Sequence, residues 1–224
     1  SKYFISKNVK VIGGTNTNSY LNFYNKFPHG RQYENYYKIF QKLQNKKKKI
    51  NISKKYDYLI SFLNPKYINK RVRSNIRLNS FNFHPGPPEY PGFGCYNFAL
   101  LDEVNFYGST IHLMNEKYDS GQIINVKKFK ISREKINLEK LIKLTHNNIF
   151  KQAKKFVEDI IKKKINGNNK LRWKKKPYTK KEFELAREIK LYDSKKNILK
   201  KLKAFTYKGY ESVYINLKGI KSKL

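Results

Sequence analysis

Hydrophobic positions along this chain switch between two periods, and the switches divide it into elements. Val9-Lys-Val-Ile12, ahead of Gly13-Gly14, has the length of a short buried strand ending in a turn. Tyr33, Tyr36, Tyr37, Phe40 and Leu43 recur at helical spacing and predict an amphipathic helix over 31–46, with Lys46 to Lys49 as its charged exit. Residues 56–63 are a nearly continuous apolar run, the mark of a strand covered on both faces, and Asn64-Pro65 stops it. Further strands are expected over 79–84, stopped by Pro85, over 107–114 and over 122–130. Leu138, Leu141, Ile142, Ile149, Ala153, Phe156, Val157 and Ile160 mark a long amphipathic helix over 137–164.

Residues 166–169 then read as a loop, and Thr179-Lys-Lys-Glu182 as a capping box that opens a short helix. Ser194 is placed to cap another helix running through Leu202, and strands flank the turn signal Lys218-Gly219. The order of elements implies an α/β fold, an open and mostly parallel sheet with helices on both faces, plus a small C-terminal α+β tail. The expected division is a main domain over 1–165, a linker with a short helix over 166–192, and a C-terminal helix and hairpin over 193–224.

Composition narrows the class. Of the 224 residues 50 are Lys or Arg and 16 are Asp or Glu, a formal net charge of +34. Such a charge invites a nucleic-acid reading. Against it, 39% of the residues are hydrophobic and 15% aromatic, enough for a packed core and unlike a disordered basic tail. Lys is spread along the whole chain, and Asn, Ile, Tyr and Phe are abundant beside it, as base-composition bias would produce. The charge therefore reads first as solvated surface, with polyanion binding as the alternative. One cysteine excludes an intrachain disulfide framework and any multi-cysteine metal site. No apolar run approaches the roughly 20 residues of a membrane span, so a soluble, cytoplasmic protein is expected.

The chemistry concentrates between Phe81 and Gly94. Pro85, Pro87, Pro88 and Pro91 are four of the seven prolines, and Gly86, Gly92 and Gly94 stand among them. A Pro/Gly-dense loop directly after a buried strand is rigid and non-helical. In an open α/β sheet the ligand crevice lies at the carboxyl ends of the strands. Asn82 and His84 are two apart at such an end, so their side chains share a face. A working histidine calls for a carboxylate. Asp119, in the turn Tyr118-Asp119-Ser120-Gly121 after a strand, is the leading candidate. Asp57 lies in a strand start, Asp102 follows a helix, and Asp159 and Asp193 fall in later helical regions. Asn, His and Asp converging on one cleft suit acyl transfer: an amide that donates to a developing oxyanion, an imidazole that moves a proton, and a carboxylate that orients it.

These residues match a family. Asn82-Phe-His84-Pro-Gly-Pro-Pro-Glu-Tyr-Pro-Gly92, then Gly108-Ser-Thr-Ile-His112, then Asp119-Ser-Gly121, resemble the folate-dependent formyltransferases in three motifs in the same order. The resemblance implies a Rossmann-like catalytic sheet, 10-formyltetrahydrofolate as donor, a primary amine as acceptor and no metal. It places Asn82 on the formyl oxygen, His84 at the reacting centre with a part in proton movement to the departing folate nitrogen, and Asp119 in support of His84. Phe62, Leu63 and Ile68 would line the pterin pocket, with Tyr118 also on the folate. The loop departs from the commoner family pattern at Pro85-Gly86-Pro87-Pro88-Glu89 and at Gly92-Phe93-Gly94-Cys95, where the acceptor should sit.

Other residues read more blandly. His112 shares a strand face with Thr110 and Met114 and is taken as structural ahead of a substrate or supporting role. His29 and His146 are taken as surface residues and Cys95 as a small packing residue. Trp173 is read as packing the C-terminal segment onto the main domain, with base stacking as the alternative. As acceptor, an amino sugar on a nucleotide carrier fits best, because the chain after Trp173 is short and has a strand pair of the kind that forms a dimer interface. Methionyl-tRNA or glycinamide ribonucleotide as acceptor, a hydrolase that deformylates folate, and a non-catalytic basic RNA-binding module on this fold are the alternatives. Nucleic acid is not the expected partner.

Overall fold

The structure is a computed structural model that describes residues 56–63, 67–162, 165, 170–207, 212–217 and 220–223. The expected strand over 9–12, the helix over 31–46, His29, the loop over 166–169 and the Lys218-Gly219 turn lie outside the described residues. The fold is α/β, with a mixed, mostly parallel sheet and helices. The chain separates into two compact units, residues 1–82 and 83–224.

In the first unit β1 (Tyr56–Phe62) neighbours β2 (Ile76–His84). β1 alternates rather than burying both faces: Leu59 and Ser61, on one face, are buried, and Asp57 on that same face, nearer the strand start, is exposed and pairs with Arg77 at 2.8 Å. The apolar run therefore overstated its coverage, because Tyr58, Ile60 and Phe62 keep partial exposure. A single-turn α1 (Lys70–Arg73), which the sequence pattern did not predict, is capped by the Asn69 side chain accepting from Val72 N–H at 3.0 Å.

The second unit takes in the end of β2 and everything after it. β3 (Phe106–Leu113) neighbours β2 and pairs antiparallel with β4 (Ile123–Lys130). β3 is buried from Tyr107 through His112, as a central strand covered on both faces must be. Its register slips between Ile111, opposite Asn125, and His112, opposite Ile123. The extra residue, Ile124, makes a bulge, and bulges bend a strand and re-aim its side chains. The bulge lies on β4, opposite the end of β3 that carries His112.

Helix α2 (Cys95–Leu101) follows the Pro/Gly loop, and α3 (Leu138–Ile161) crosses the unit with Asn137 as its cap. α3 buries Leu138, Leu141, Thr145, Ile149, Gln152 and Phe156, a stripe at spacings of three and four. Its Gln152 accepts from Ser109 Oγ at 2.7 Å and donates to Asn125 Oδ1 at 2.6 Å, which ties the helix to β3 and β4. His146, expected at the surface, is instead partly enclosed beside Tyr96, and burial lowers its pKa to about 4. The sequence could not show this, because a histidine one residue past the buried stripe looks solvated.

The Thr179 capping box forms as expected and opens α4 (Lys180–Ala186). α5 (Lys195–Phe205), capped by Ser194, follows the two-residue strand β5 (Glu188–Ile189). β5 pairs parallel with β6 (Tyr214–Leu217), which pairs antiparallel with β7 (Ile220–Lys223). These C-terminal elements share one core with the rest of the unit: Phe205 and Val213 cluster with Tyr90, Ala99, Tyr107 and Leu141. That common core holds the chain after residue 170 against the loop where the candidate chemistry lies. Among the described residues no helix is long and apolar enough to cross a membrane.

Candidate active site

β2 delivers His84 into a buried position, 3% exposed, and Pro85 ends the strand there. The loop then folds back. Thr110 Oγ1 donates to Gly86 O at 2.8 Å, and Tyr107 Oη donates to Pro85 O at 3.0 Å. A side chain at Gly86 would place its Cβ 2.5 Å from His84 Nε2 and 2.9 Å from Tyr90 O, so glycine is what lets the loop pass over the imidazole. As a result His84 Nε2 lies 2.8 Å from the Tyr90 carbonyl.

Asp119 approaches from the turn after β3. Its backbone is in the left-handed region, φ 38°, which an aspartate tolerates better than most residues. One carboxylate oxygen, Oδ2, lies 3.0 Å from His84 Nδ1 and accepts from Gly92 N–H at 2.9 Å. The other, Oδ1, lies 3.2 Å from His112 Nε2, and His112 Nδ1 lies 2.8 Å from Leu113 O. The structure thus brings His84 and Asp119 together and adds His112. The sequence reading had ranked a structural role first for His112. The available signal was its spacing: two residues past Thr110 on one strand face and seven before Asp119.

Both ring nitrogens of His84 face acceptors, a carboxylate and a carbonyl, and an imidazole carrying two protons satisfies both. Burial opposes that charge, but Asp119's charge and hydrogen bond, helped by the Tyr90 carbonyl, outweigh it and raise the His84 pKa above its ordinary value. Burial likewise works to protonate Asp119, and His84 and His112 overcome it, holding the carboxyl well below the usual range. The arrangement is a buried charged pair able to donate a proton or to face a developing negative charge. Cys95 is buried, and burial pushes its thiol up to about 12, consistent with packing rather than nucleophilic use.

Asn82 stands two residues before His84 on β2 and is half-buried. Phe62 and Leu63 lie half-buried at the end of β1, and Ile68 lies half-buried just ahead of α1. These belong to the first unit. Tyr118, in the second, is exposed on the turn that carries Asp119.

Trp173 packs the segment it heads onto the rest of the unit, as expected, but it does so at the candidate site itself. Its ring meets His112 edge-on at 5.1 Å and His84 at 5.8 Å, and its indole N–H donates to Gly121 O at 2.7 Å. The segment after it runs along the Pro/Gly loop. Lys174 N–H donates to Pro88 O, Tyr178 N–H to Pro91 O and Phe93 N–H to Tyr178 O, each at 2.9 Å. The Tyr178 ring stacks on Phe98 with centroids 3.8 Å apart. No sequence signal separates such a tryptophan from a packing residue in a linker.

The family model described as formyl transferase matches residues 31–160, more than half of the chain. The chain belongs to the formyl transferase family. Solved structures share its fold. A 4-N formyltransferase from Francisella tularensis is 20% identical with a TM-score of 0.63, the match covering 75% of this chain and 69% of that one. A sugar N-formyltransferase from Shewanella sp FDAARGOS_354 is 21% identical with a TM-score of 0.64, covering 75% and 68%. An N-formyltransferase from Helicobacter canadensis, in complex with folinic acid and dTDP-3-aminofucose, is 20% identical with a TM-score of 0.57, covering 75% and 61%. No curated protein matches the sequence. His84, His112 and Asp119 fall within the residues that the family model matches.

Proposed function

We propose that this formyl transferase moves a formyl group from 10-formyltetrahydrofolate to the primary amine of an amino sugar carried on a nucleotide. The observation that carries the reading is the Asp119 carboxylate held 3.0 Å from His84 Nδ1 in a buried site, where the same oxygen also accepts from Gly92 of the Pro/Gly loop. The folate supplies a formyl group on a nitrogen that leaves as an amine once protonated. A buried imidazole with a proton on each nitrogen suits that demand, so the residues present fit the donor. The Asn82 amide donates to the formyl oxygen, where negative charge develops as the amine nitrogen attacks the carbon. His84 gives a proton from Nε2 to the departing nitrogen after exchanging its Tyr90 carbonyl partner for the substrate. Asp119 keeps His84 charged beforehand, and once Nε2 has given up its proton it takes the one shed by the attacking amine, which restores the charged ring. The family resemblance assigns Phe62, Leu63 and Ile68 to the pterin and Tyr118 to the folate.

The likeness to a structure holding folinic acid and a dTDP-linked amino sugar supports this choice of substrates, as does a surface whose charge attracts a diphosphate. The test is to incubate the purified chain with 10-formyltetrahydrofolate and a panel of nucleotide-linked amino sugars, reading the products by mass. Formylation of at least one sugar is expected. Formate released without an amine product would mean a hydrolase. Transfer to methionyl-tRNA but to no sugar would reassign the acceptor.

A further inference from the structure

We infer that Trp173 is a positioning residue that closes the His84–Asp119–His112 cluster to water and so holds His84 in its ion-paired arrangement. The inference deepens the formyl-transfer reading and rests on it. Three observations converge. The indole ring lies edge-on against both imidazoles, at 5.1 Å and 5.8 Å. Its N–H is tied to Gly121, two residues from Asp119 on the same turn, so the ring and the carboxylate have a common anchor. The segment it heads is bonded to the loop that covers His84.

That last link is close in sequence as well as in space. Gly92 N–H donates to Asp119, and the next amide, Phe93 N–H, donates to Tyr178 O. Moving residues 173–178 away would pull on the same stretch of loop that Asp119 grips. The Gly121 anchor has no slack either. A Cβ there would lie 1.8 Å from Leu113 O, so the turn is pressed against the end of β3, beside His112. Trp173 and His112 therefore rest against the same turn and strand end. A linker that merely joined two segments would need none of these contacts.

The effect follows from screening. A charged pair excluded from water keeps its mutual attraction, and water entering beside it weakens that attraction. Trp173→Ala would open the side of the cluster that the indole covers while leaving His84, Asp119 and His112 unchanged in sequence. A purely structural tryptophan would alter overall stability without changing how fast the imidazole protons meet solvent.

The experiment uses the full chain with ¹⁵N-labelled histidine and needs no folate or acceptor. In the unsubstituted protein the imidazole N–H protons of His84 and His112 give resolved signals, and these show cross-relaxation with the indole ring protons of the chain's single tryptophan. In Trp173→Ala the backbone amide spectrum stays folded while the imidazole protons exchange at least about tenfold faster and their signals broaden or vanish. Imidazole signals unchanged in Trp173→Ala would overturn the inference. Where that variant does not fold, the unsubstituted protein decides: absence of cross-relaxation from the indole to either histidine overturns it, and its presence to both supports it. Because these signals are read without turnover, they are independent of whether formyl transfer to a sugar is observed.

Discussion

Asp119→Asn isolates charge from shape at the centre of the site. An amide oxygen at the Oδ2 position still accepts from Gly92 N–H, a neutral His84 keeps one of its two hydrogen bonds, and the NH₂ faces His112 Nε2, which can accept once His112 donates through Nδ1 to Leu113 O. Loop and turn are therefore expected to survive. The negative charge is lost. Both side chains of the pair are over nine-tenths buried, so the attraction is poorly screened. At about 4 Å and an effective dielectric of about 20 it amounts to roughly 4 kcal/mol, and at the 3.0 Å of this pair somewhat more. Burial works against the His84 charge, and without Asp119 it works nearly unopposed, so the His84 pKa falls and the ring is neutral at neutral pH. A neutral ring is a poorer proton donor, and general acid–base groups contribute roughly 10²–10⁴-fold to rate. Asp119→Asn should lower kcat by that order with a small change in KM. The assay pairs initial rates of formyl transfer with an NMR titration of His84 in both proteins. An unmoved His84 titration, or a kcat within about threefold of the unsubstituted chain, would rule out this role for the Asp119 charge.

Three other outcomes follow from the same structure. The pair makes stability depend on pH at both ends. The share due to His84, whose folded pKa is raised, is complete below its ordinary 6.5 and is lost as pH rises through the folded value. The share due to Asp119, whose folded pKa is lowered, is present above 3.8 and is lost as pH falls through the folded value; denaturant unfolding across pH should show both slopes, and Asp119→Asn should flatten them. Phe83→Ala removes a ring that is 1% exposed and edge-on to Phe156 at 5.5 Å, and should cost about 3–5 kcal/mol by urea unfolding. Thr179→Ala deletes the hydroxyl that accepts from Glu182 N–H at the start of α4, and should cost about 0.5–2 kcal/mol by the same measurement.

The strands and the long helix were legible because burial imposes a period. β3 and β4 fall within a residue of the expected 107–114 and 122–130, and α3 begins one residue after the expected 137. The capping box was legible because two orphan amides at a helix start need those two side chains. β5 was not, since two residues carry no period, and neither was α1, a single turn without an apolar stripe. At the site, Asn82, His84 and Asp119 stood out because a Pro/Gly loop and a turn frame them in sequence. His112 was visible as a residue but not as a partner, because the fold of residues 113–119 that returns Asp119 to it has no signature in the residue types. Trp173 was hidden for a different reason. Its role comes from a contact with a turn 52 residues away, and only the packing of the C-terminal elements on the shared core brings that contact about.

His84 is the residue proposed to carry formyl transfer. The most direct measurement compares His84→Ala with the unsubstituted chain, using 10-formyltetrahydrofolate and a nucleotide-linked amino sugar that the latter formylates, with circular dichroism to verify the fold. A loss of at least about 10²-fold in kcat with the fold retained is expected. Formylation by His84→Ala at the unsubstituted rate would contradict it.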